Sequence, residues 1–119
     1  IILVDFHAEA TSEKLGMGYF LDGKVSLVFG THTHVQTADE KILPGGTGYI
    51  TDIGMCGPSH SVLGVTPELA IRRMRTHLPT RFENASGPCS LSGIVADIDL
   101  ATGKTTSIQR IFAVSSKEA

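Results

Sequence analysis

Two short apolar runs near the start of the chain predict buried strands. Residues 1–6 and 25–29 are rich in branched and aromatic side chains, a composition typical of strands enclosed in a sheet. The first run is almost continuously apolar, so we expect it to be buried on both faces. A helical pattern over residues 11–21 separates the two runs. The order strand, helix, strand predicts a βαβ unit with parallel strands, whose carboxyl ends lie at one edge of the sheet.

The intervening helix has a recognisable amino-terminal end and a weak interior. Thr11 or Ser12 is expected to cap it. Gly16 and Gly18 lower its intrinsic stability, because glycine is a poor helix former. The apolar positions of this helix predict an inner face made of Leu15, Tyr19 and Phe20.

The second half of the chain alternates short strands with loops. Residues 41–43 and 49–53 flank a turn rich in glycine and predict a hairpin. Residues 94–100 alternate apolar and polar side chains, and residues 105–114 are expected to return as their antiparallel partner. Residues 54–64 and 80–91 are expected to be irregular, and residues 115–119 to form a frayed polar tail.

A second helix is predicted from clear terminal signals. Thr66 is expected to be the N-cap, Pro67 occupies the first helical position, and Pro79 ends the helix. His77 in the last turn is interpreted as structural. The arginines of this helix are interpreted as a solvated face, and its buried stripe is predicted to be Ile71, Met74 and Leu78.

Composition and charge limit the kinds of function that the chain can have. The 119 residues allow one modest domain, and 41% of them are hydrophobic. The formal net charge of -2 gives no support for a basic nucleic-acid surface, and no apolar run approaches the roughly 20 residues that span a bilayer. Cys56 and Cys89 show no zinc-site spacing, so we expect two thiols and a cytoplasmic protein, with a disulfide left open.

Three histidines follow the two strands of the predicted βαβ unit. His7 comes after the first strand, and His32 and His34 come after the second. If the backbone stays extended, His32 and His34 point to the same side, so all three imidazoles would converge at one sheet edge. Imidazole groups that converge in this way suit a transition metal, whereas a hydrogen-bonded set of loop histidines is the alternative. Candidate acidic partners of these ligands are Asp5, Glu9 and Asp39.

Other sequence signals are weaker. Residues 103–105 resemble the end of a phosphate-binding loop, but Ile98 stands where that motif requires glycine. The glycines of residues 45–48 do not open a helix, which argues against a dinucleotide fingerprint. His60 lies in a glycine-rich loop and is left open as a site residue. Cys56 as a nucleophile lacks an identifiable base.

Residues 4–14, 30–39 and 49–57 resemble, in this order, segments of the bacterial YmdB-type phosphodiesterases. These are similar to the wider superfamily of calcineurin-like metallophosphoesterases. That superfamily places an isolated histidine after one strand and a Gly-His-x-His element after a later one. His7 and residues 30–34 match this pattern, with a threonine inserted after the glycine. The resemblance covers nearly the whole chain.

The resemblance implies a fold, a metal centre and a reaction. The fold would be the calcineurin-like α/β sandwich, two sheets flanked by helices, with residues 1–119 as the carboxy-terminal portion of a single domain. His7 and His32 would bind one metal of a dinuclear centre and His34 the other, with iron or manganese as the expected metals. The expected substrate is a small phosphodiester such as a 2′,3′-cyclic nucleotide. No membrane or stable nucleic-acid partner is expected, and homo-oligomerisation is left open.

The family's remaining catalytic groups belong to its amino-terminal part, which we expect to lie outside residues 1–119. They are an aspartate, a bridging acidic residue, asparagines and a histidine that assists the leaving group. We therefore expect the parent protein to be the enzyme and this chain alone to be inactive. The loops at residues 44–48 and 54–64 are expected to line the site. The alternatives are a non-catalytic metal-binding or scaffold domain and a cysteine-dependent hydrolase.

Overall fold

The structure is a computed structural model that describes residues 1–115. Within this range the chain forms, in order, β1 (Leu3–His7), α1 (Thr11–Leu21), β2 (Leu27–Thr31), β3 (Lys41–Ile42), β4 (Gly48–Ile50), β5 (Gly57–Pro58), α2 (Pro67–Thr76), β6 (Cys89–Ile98) and β7 (Thr105–Val114). The two sheets and two helices confirm the mixed α/β class. Across the described range, no helix is long and apolar enough to cross a membrane. The tail predicted at residues 115–119 lies, beyond its first residue, outside the described residues.

The chain divides into two compact units. The first comprises Ile1–Gly54 and Ser92–Ile111, and the second comprises Met55–Leu91 and the residues from Phe112 onward. The three candidate histidines all lie in the first unit, so the candidate site can be described within that unit alone.

The four-stranded sheet of the first unit has the strand order β1-β2-β4-β3. β1 and β2 are parallel, in a register that runs from Leu3 opposite Leu27 to His7 opposite Thr31. β2 and β4 are also parallel, and β3 pairs with β4 in the antiparallel sense. The predicted βαβ unit and the predicted hairpin are therefore confirmed. As a result, the carboxyl ends of β1, β2 and β4 lie at one edge of this sheet.

The core of the first unit centres on the two inner strands. Val28, Leu43 and Tyr49 form a buried cluster, and half-buried apolar side chains from β1 and α1 pack around it. β1 itself is an edge strand, and Leu3 is 56% exposed. The expectation that this strand is buried on both faces is therefore wrong. Its side chains alternate between exposed and half-buried, so one face of β1 packs on the unit and the other face is uncovered.

Helix α1 forms where predicted but presents a different face to the sheet. Its N-cap is Ala10, one position before the predicted cap, and the Ala10 N–H donates to the Glu13 carboxylate at 3.4 Å. Its buried residues are Lys14 and Gly18. By contrast, two members of the predicted inner face are exposed, Tyr19 and Phe20, whereas Leu15 is half-buried against the core.

Helix α2 of the second unit begins as predicted, with Thr66 as N-cap and Pro67 in the first turn. It ends at His77, whose left-handed backbone (φ 55°) caps the helix while its N–H donates to the Arg73 carbonyl at 3.0 Å. Ala70 is the buried residue of this helix. The predicted buried stripe is wrong, because each of its three side chains is at least half exposed: Ile71, Met74 and Leu78.

The second sheet has the order β5-β6-β7. β5 pairs antiparallel with the start of β6, through Gly57 opposite Ser90, in residues that had been predicted to be irregular. The turn at residues 99–104 joins β6 to β7 and is too short for a parallel crossover, so the predicted hairpin is confirmed. The predicted alternation also holds as far as Ile98. Leu100 departs from it, being 84% exposed in the turn.

Candidate metal centre

Two of the three candidate histidines are in direct contact at the sheet edge. His7 is the last residue of β1 and lies opposite Thr31, the last residue of β2, so His32 follows immediately beside it. His7 Nε2 and His32 Nδ1 are 3.2 Å apart. The two rings meet edge to face, with centroids 5.0 Å apart and planes at 80°. Parallel pairing of two strands in this register is what brings the imidazoles together.

Two consecutive hydrogen bonds determine which ring nitrogen of His7 carries the proton. The Thr31 hydroxyl donates to Asp5 Oδ1 at 2.8 Å, because an ionised carboxylate can only accept. Towards His7 Nδ1, at 3.1 Å, the same hydroxyl oxygen must therefore accept, which places the proton of the neutral ring on Nδ1. Nε2 of His7 then carries a lone pair, as a metal ligand requires.

The contact between His7 and His32 fits two ligands of one metal ion. Two bonds of about 2.1 Å that meet at roughly 90–110° leave their nitrogens about 3.0–3.4 Å apart. The observed 3.2 Å lies in this range. Without a cation, the same distance suits a hydrogen bond from His32 Nδ1–H to His7 Nε2. The donor set of these two imidazoles therefore fits part of a transition-metal site.

His32 and His34 are not related by the extended backbone on which the argument for a shared side rested. The segment of residues 32–34, here called the histidine loop, leaves the extended conformation, with φ 115° at His32 and φ 64° at His34. The rule that residues two apart share a side applies only to extended backbone. In the described residues, no group of three or more His, Cys, Asp and Glu side chains is placed to hold a metal ion. The role of His34 as a ligand is thus a proposal, taken up below.

Asp52 lies just after β4 and holds the histidine loop through a hydrogen bond. It is fully buried, and its Oδ2 accepts hydrogen bonds from the Thr33 backbone N–H and from Lys14 Nζ, each at 2.9 Å. Its Oδ1 accepts from the Gly54 N–H, also at 2.9 Å. Burial alone would raise the pKa of Asp52, but these hydrogen bonds outweigh it and hold the pKa below its ordinary value. The carboxylate therefore stays ionised beside the loop.

This anchor offsets strain in the loop. Sparsely populated positive φ values at non-glycine residues cost about 1–3 kcal/mol each. A hydrogen bond to a charged group contributes about 1.5–3 kcal/mol. The bond from the N–H of Thr33 to Asp52 is therefore of the size of the cost at one of the two histidines, and it offsets part of their combined cost.

The candidate acidic partners have different surroundings. Asp5 reaches His7 through Thr31, as described above. Asp39 accepts hydrogen bonds from Thr37 and Thr51, and although burial would raise its pKa, these bonds lower it below its ordinary value. Glu9 is exposed in the connection between β1 and α1.

The two loops expected to line the site have different positions. Residues 44–48 lead into β4, whose first residue, Gly48, lies opposite Leu27 at the amino end of β2. This loop is held there by Asp22, which accepts from the Gly45 N–H at 2.7 Å. It therefore lies at the sheet edge away from the histidines, and the expectation that it lines the site is wrong. Most of residues 54–64, including the exposed His60, belong to the second unit.

Sequence analysis included Lys14 and Asp52 only as members of the resemblance segments and gave neither residue a role. The signal that could have revealed them is positional. Asp52 follows a fully buried strand, and Lys14 sits one turn into a helix that crosses that sheet. A charged residue on the sheet-facing side of such a helix needs a buried partner of opposite charge.

Comparisons with known proteins identify a family and several similar proteins. The model of the YmdB-like protein family matches residues 1–111. The chain is 58% identical over 111 residues to the 2′,3′-cyclic-nucleotide 2′-phosphodiesterase of Bacillus subtilis, covering 93% of this chain and 42% of that protein. The crystal structure of a Mycoplasma pneumoniae phosphatase matches with TM-score 0.88 and 45% identity, over 93% of this chain and 40% of that one. A hypothetical protein from Thermus thermophilus matches with TM-score 0.88 and 40% identity, over 94% and 44% of the two chains.

Proposed function

Because the chain belongs to the YmdB-like protein family, we propose that it is part of a metal-dependent phosphodiesterase. The single observation that carries this proposal is the 3.2 Å contact between His7 Nε2 and His32 Nδ1 at the ends of adjacent strands. The name of the Bacillus subtilis relative supports the reaction class. The chain spans about 40% of the length of that relative, so the activity is proposed for the full-length protein.

The proposed fold of the parent is the calcineurin-like α/β sandwich. Its support is the likeness to the Mycoplasma pneumoniae phosphatase, with TM-score 0.88 at 45% identity. In this proposal residues 1–119 are the carboxy-terminal portion of a single metallophosphoesterase domain, and the remaining ligands come from the rest of the parent.

The proposed ligands are the three histidines. His7 and His32 would bind one cation and His34 the second, with iron or manganese as the metals that the resemblance implies and that imidazole ligands accept. A dinuclear centre of this kind supplies a hydrolytic nucleophile and neutralises charge at the phosphoryl group. The chain's own contribution is to present His7 Nε2 free of its proton, through the bond from Nδ1 to Thr31.

The proposed substrate is a small phosphodiester, with 2′,3′-cyclic nucleotides as the class named for the Bacillus subtilis relative. The proposal includes no membrane partner and no stable nucleic-acid partner. The net charge of -2 supports the proposal for nucleic acid, because it gives no support for a basic surface. A cytoplasmic location and homo-oligomerisation remain proposals of the same kind.

Removing single ligands in the full-length protein tests the function. We expect His32→Ala and His34→Ala each to lower the hydrolysis of a 2′,3′-cyclic nucleotide at least about 100-fold, since misplaced reacting groups cost on that order. Bound iron and manganese should fall in parallel when measured by elemental analysis. The fold should persist by circular dichroism, because both side chains are exposed and contribute little packing.

His77→Asn is the matched control. It removes a histidine from the other unit, and asparagine tolerates the left-handed backbone at that position. Its activity and metal content should equal those of the unmodified protein. Unchanged activity in His34→Ala would refute the proposed role of that residue. Metal binding by the unmodified protein without turnover of any phosphodiester would instead identify a non-catalytic metal-binding domain.

A further inference from the structure

A buried ion pair lies beneath the histidine loop and takes no part in ligand binding. Lys14 of α1 and Asp52 are 1% and 0% exposed, and Lys14 Nζ lies 2.9 Å from Asp52 Oδ2. Both residues belong to the first unit. Burying two charges is costly, and apolar residues of similar size often replace such a pair without loss of stability.

The lysine reaches this position because β2 carries a glycine at the crossing point. A Cβ placed on Gly30 would lie 1.8 Å from the Thr51 carbonyl oxygen and 2.8 Å from Lys14 Cδ. No side chain fits there. The glycine that opens the histidine motif therefore lets the neighbouring backbone and the lysine stem pass close to the strand.

The carboxylate connects this lysine to the loop backbone. Asp52 Oδ2 accepts from Lys14 and also from the N–H of Thr33, the residue between His32 and His34. The N–H of Thr33 belongs to the peptide that directly follows His32, so this bond fixes the backbone between the two histidines, both of which have positive φ values. An ionised oxygen is a stronger acceptor for that peptide than a neutral one.

We propose that the Lys14–Asp52 pair is a positioning device that holds the histidine loop in its metal-binding conformation. This inference rests on the proposed function, because it assigns the loop a metal to bind. The lysine keeps Asp52 ionised and fixed, and Asp52 orients the Thr33 peptide. Neither residue touches the metal or the substrate.

Manganese affinity measured by calorimetry on metal-free, full-length protein tests this role. We expect Asp52→Asn to raise the Kd for Mn²⁺ at least about tenfold, because the amide weakens the bond to Thr33 and meets the Gly54 N–H with a donor. The absorption spectrum of the Co²⁺-loaded variant should also differ from that of the unmodified protein, because it reports ligand geometry. The matched control is Arg110→Met, which breaks the half-exposed Glu40–Arg110 pair of the same unit and should leave both readouts unchanged.

A double variant separates positioning from charge balance. Lys14→Met combined with Asp52→Asn leaves no unpaired buried charge, so it should fold even if Asp52→Asn alone does not. Its Mn²⁺ affinity should remain at least about tenfold weakened. Full affinity in the double variant would overturn the inference, since the pair would then matter for folding only. If the His32→Ala variant binds Mn²⁺ with the affinity of the unmodified protein, the proposed function is wrong, and not only the role of the ion pair.

Discussion

At the scale of single residues, Thr31 determines which nitrogen of His7 is available. Its hydroxyl donates to Asp5 and accepts from His7 Nδ1, so the ring proton stays away from Nε2. Hydrogen bonds to the second nitrogen of a metal-binding imidazole fix its tautomer and orientation, and removing them typically costs about 10–100-fold in metal affinity. Thr31 is therefore the residue through which Asp5 acts on the site.

Replacing this hydroxyl gives a prediction with little structural side effect. We expect Thr31→Val in the full-length protein to raise the Kd for Mn²⁺ about 10–100-fold, because His7 loses the partner that fixes its tautomer. Valine has nearly the same shape and suits a strand. Thr106→Val on β7 is the control, since that hydroxyl donates to the Asp97 carbonyl oxygen and not to a candidate ligand. Equal affinities for the two variants would show that the tautomer is not set through Thr31.

The sequence predicted part of this site, for a definable reason. The meeting of His7 and His32 depends on strand order and parallel pairing, which hydrophobic patterns indicate well. The backbone of the histidine loop depends on one buried hydrogen bond from Thr33 to Asp52, and such a contact between residues 19 positions apart leaves no local pattern. The turn away from extended backbone at His32 and His34 could therefore not be predicted.

At the scale of elements, helix α1 shows how packing can override an apolar pattern. The helix was predicted over the correct residues, but Gly18 rather than Tyr19 faces the sheet. The Tyr49 ring packs directly against the helix backbone at Gly18. Only a residue without a side chain allows this approach, so a glycine that weakens the helix locally becomes its contact point with the core.

The two glycines of this helix form a matched pair for a stability test. A Cβ on Gly18 would lie 2.6 Å from Tyr49 Cδ2, and Tyr49 is 1% exposed and has no room to move. A Cβ on Gly16 would meet no atom within 4 Å. We expect Gly18→Ala to lower the free energy of unfolding by about 1–3 kcal/mol, because overpacking outweighs the gain in helix propensity. Gly16→Ala should raise it by about 0.5–1 kcal/mol.

Urea denaturation of both variants in the full-length protein measures this difference. Each substitution makes the same chemical change in the same helix, so the sign of the effect reports only the space around the added methyl group. Stabilisation by both alanines would mean that the Tyr49 ring does not pack against α1 as described.

At the scale of the whole molecule, the helices and strands were predicted better than the faces of the helices that are buried. The parallel βαβ unit, the second helix and the final hairpin were predicted from local signals, because strands and helix ends carry their own patterns. The buried face of α2 was predicted wrongly, and that of α1 was correct only at Leu15. An apolar stripe such as that of α2 shows which face avoids water but not what packs against that face. The chain spans 42% of the length of its Bacillus subtilis relative.

The proposed division of the ligands between this chain and the rest of the parent leads to a prediction about activity. In the described residues, His7 and His32 are in contact but no group of three potential ligands is placed to hold a metal. The resemblance assigns the bridging acidic residue to a part of the family outside residues 1–119, and neutral imidazoles alone hold two neighbouring cations poorly because they do not offset their repulsion. We therefore expect the isolated 119-residue chain, supplied with Mn²⁺ or Fe²⁺, to hydrolyse neither bis-p-nitrophenyl phosphate nor a 2′,3′-cyclic nucleotide.

The full-length protein should hydrolyse both in the same assay, and circular dichroism should show that the isolated chain is folded. Metal-dependent turnover by the folded 119-residue chain would mean that its own side chains complete the centre.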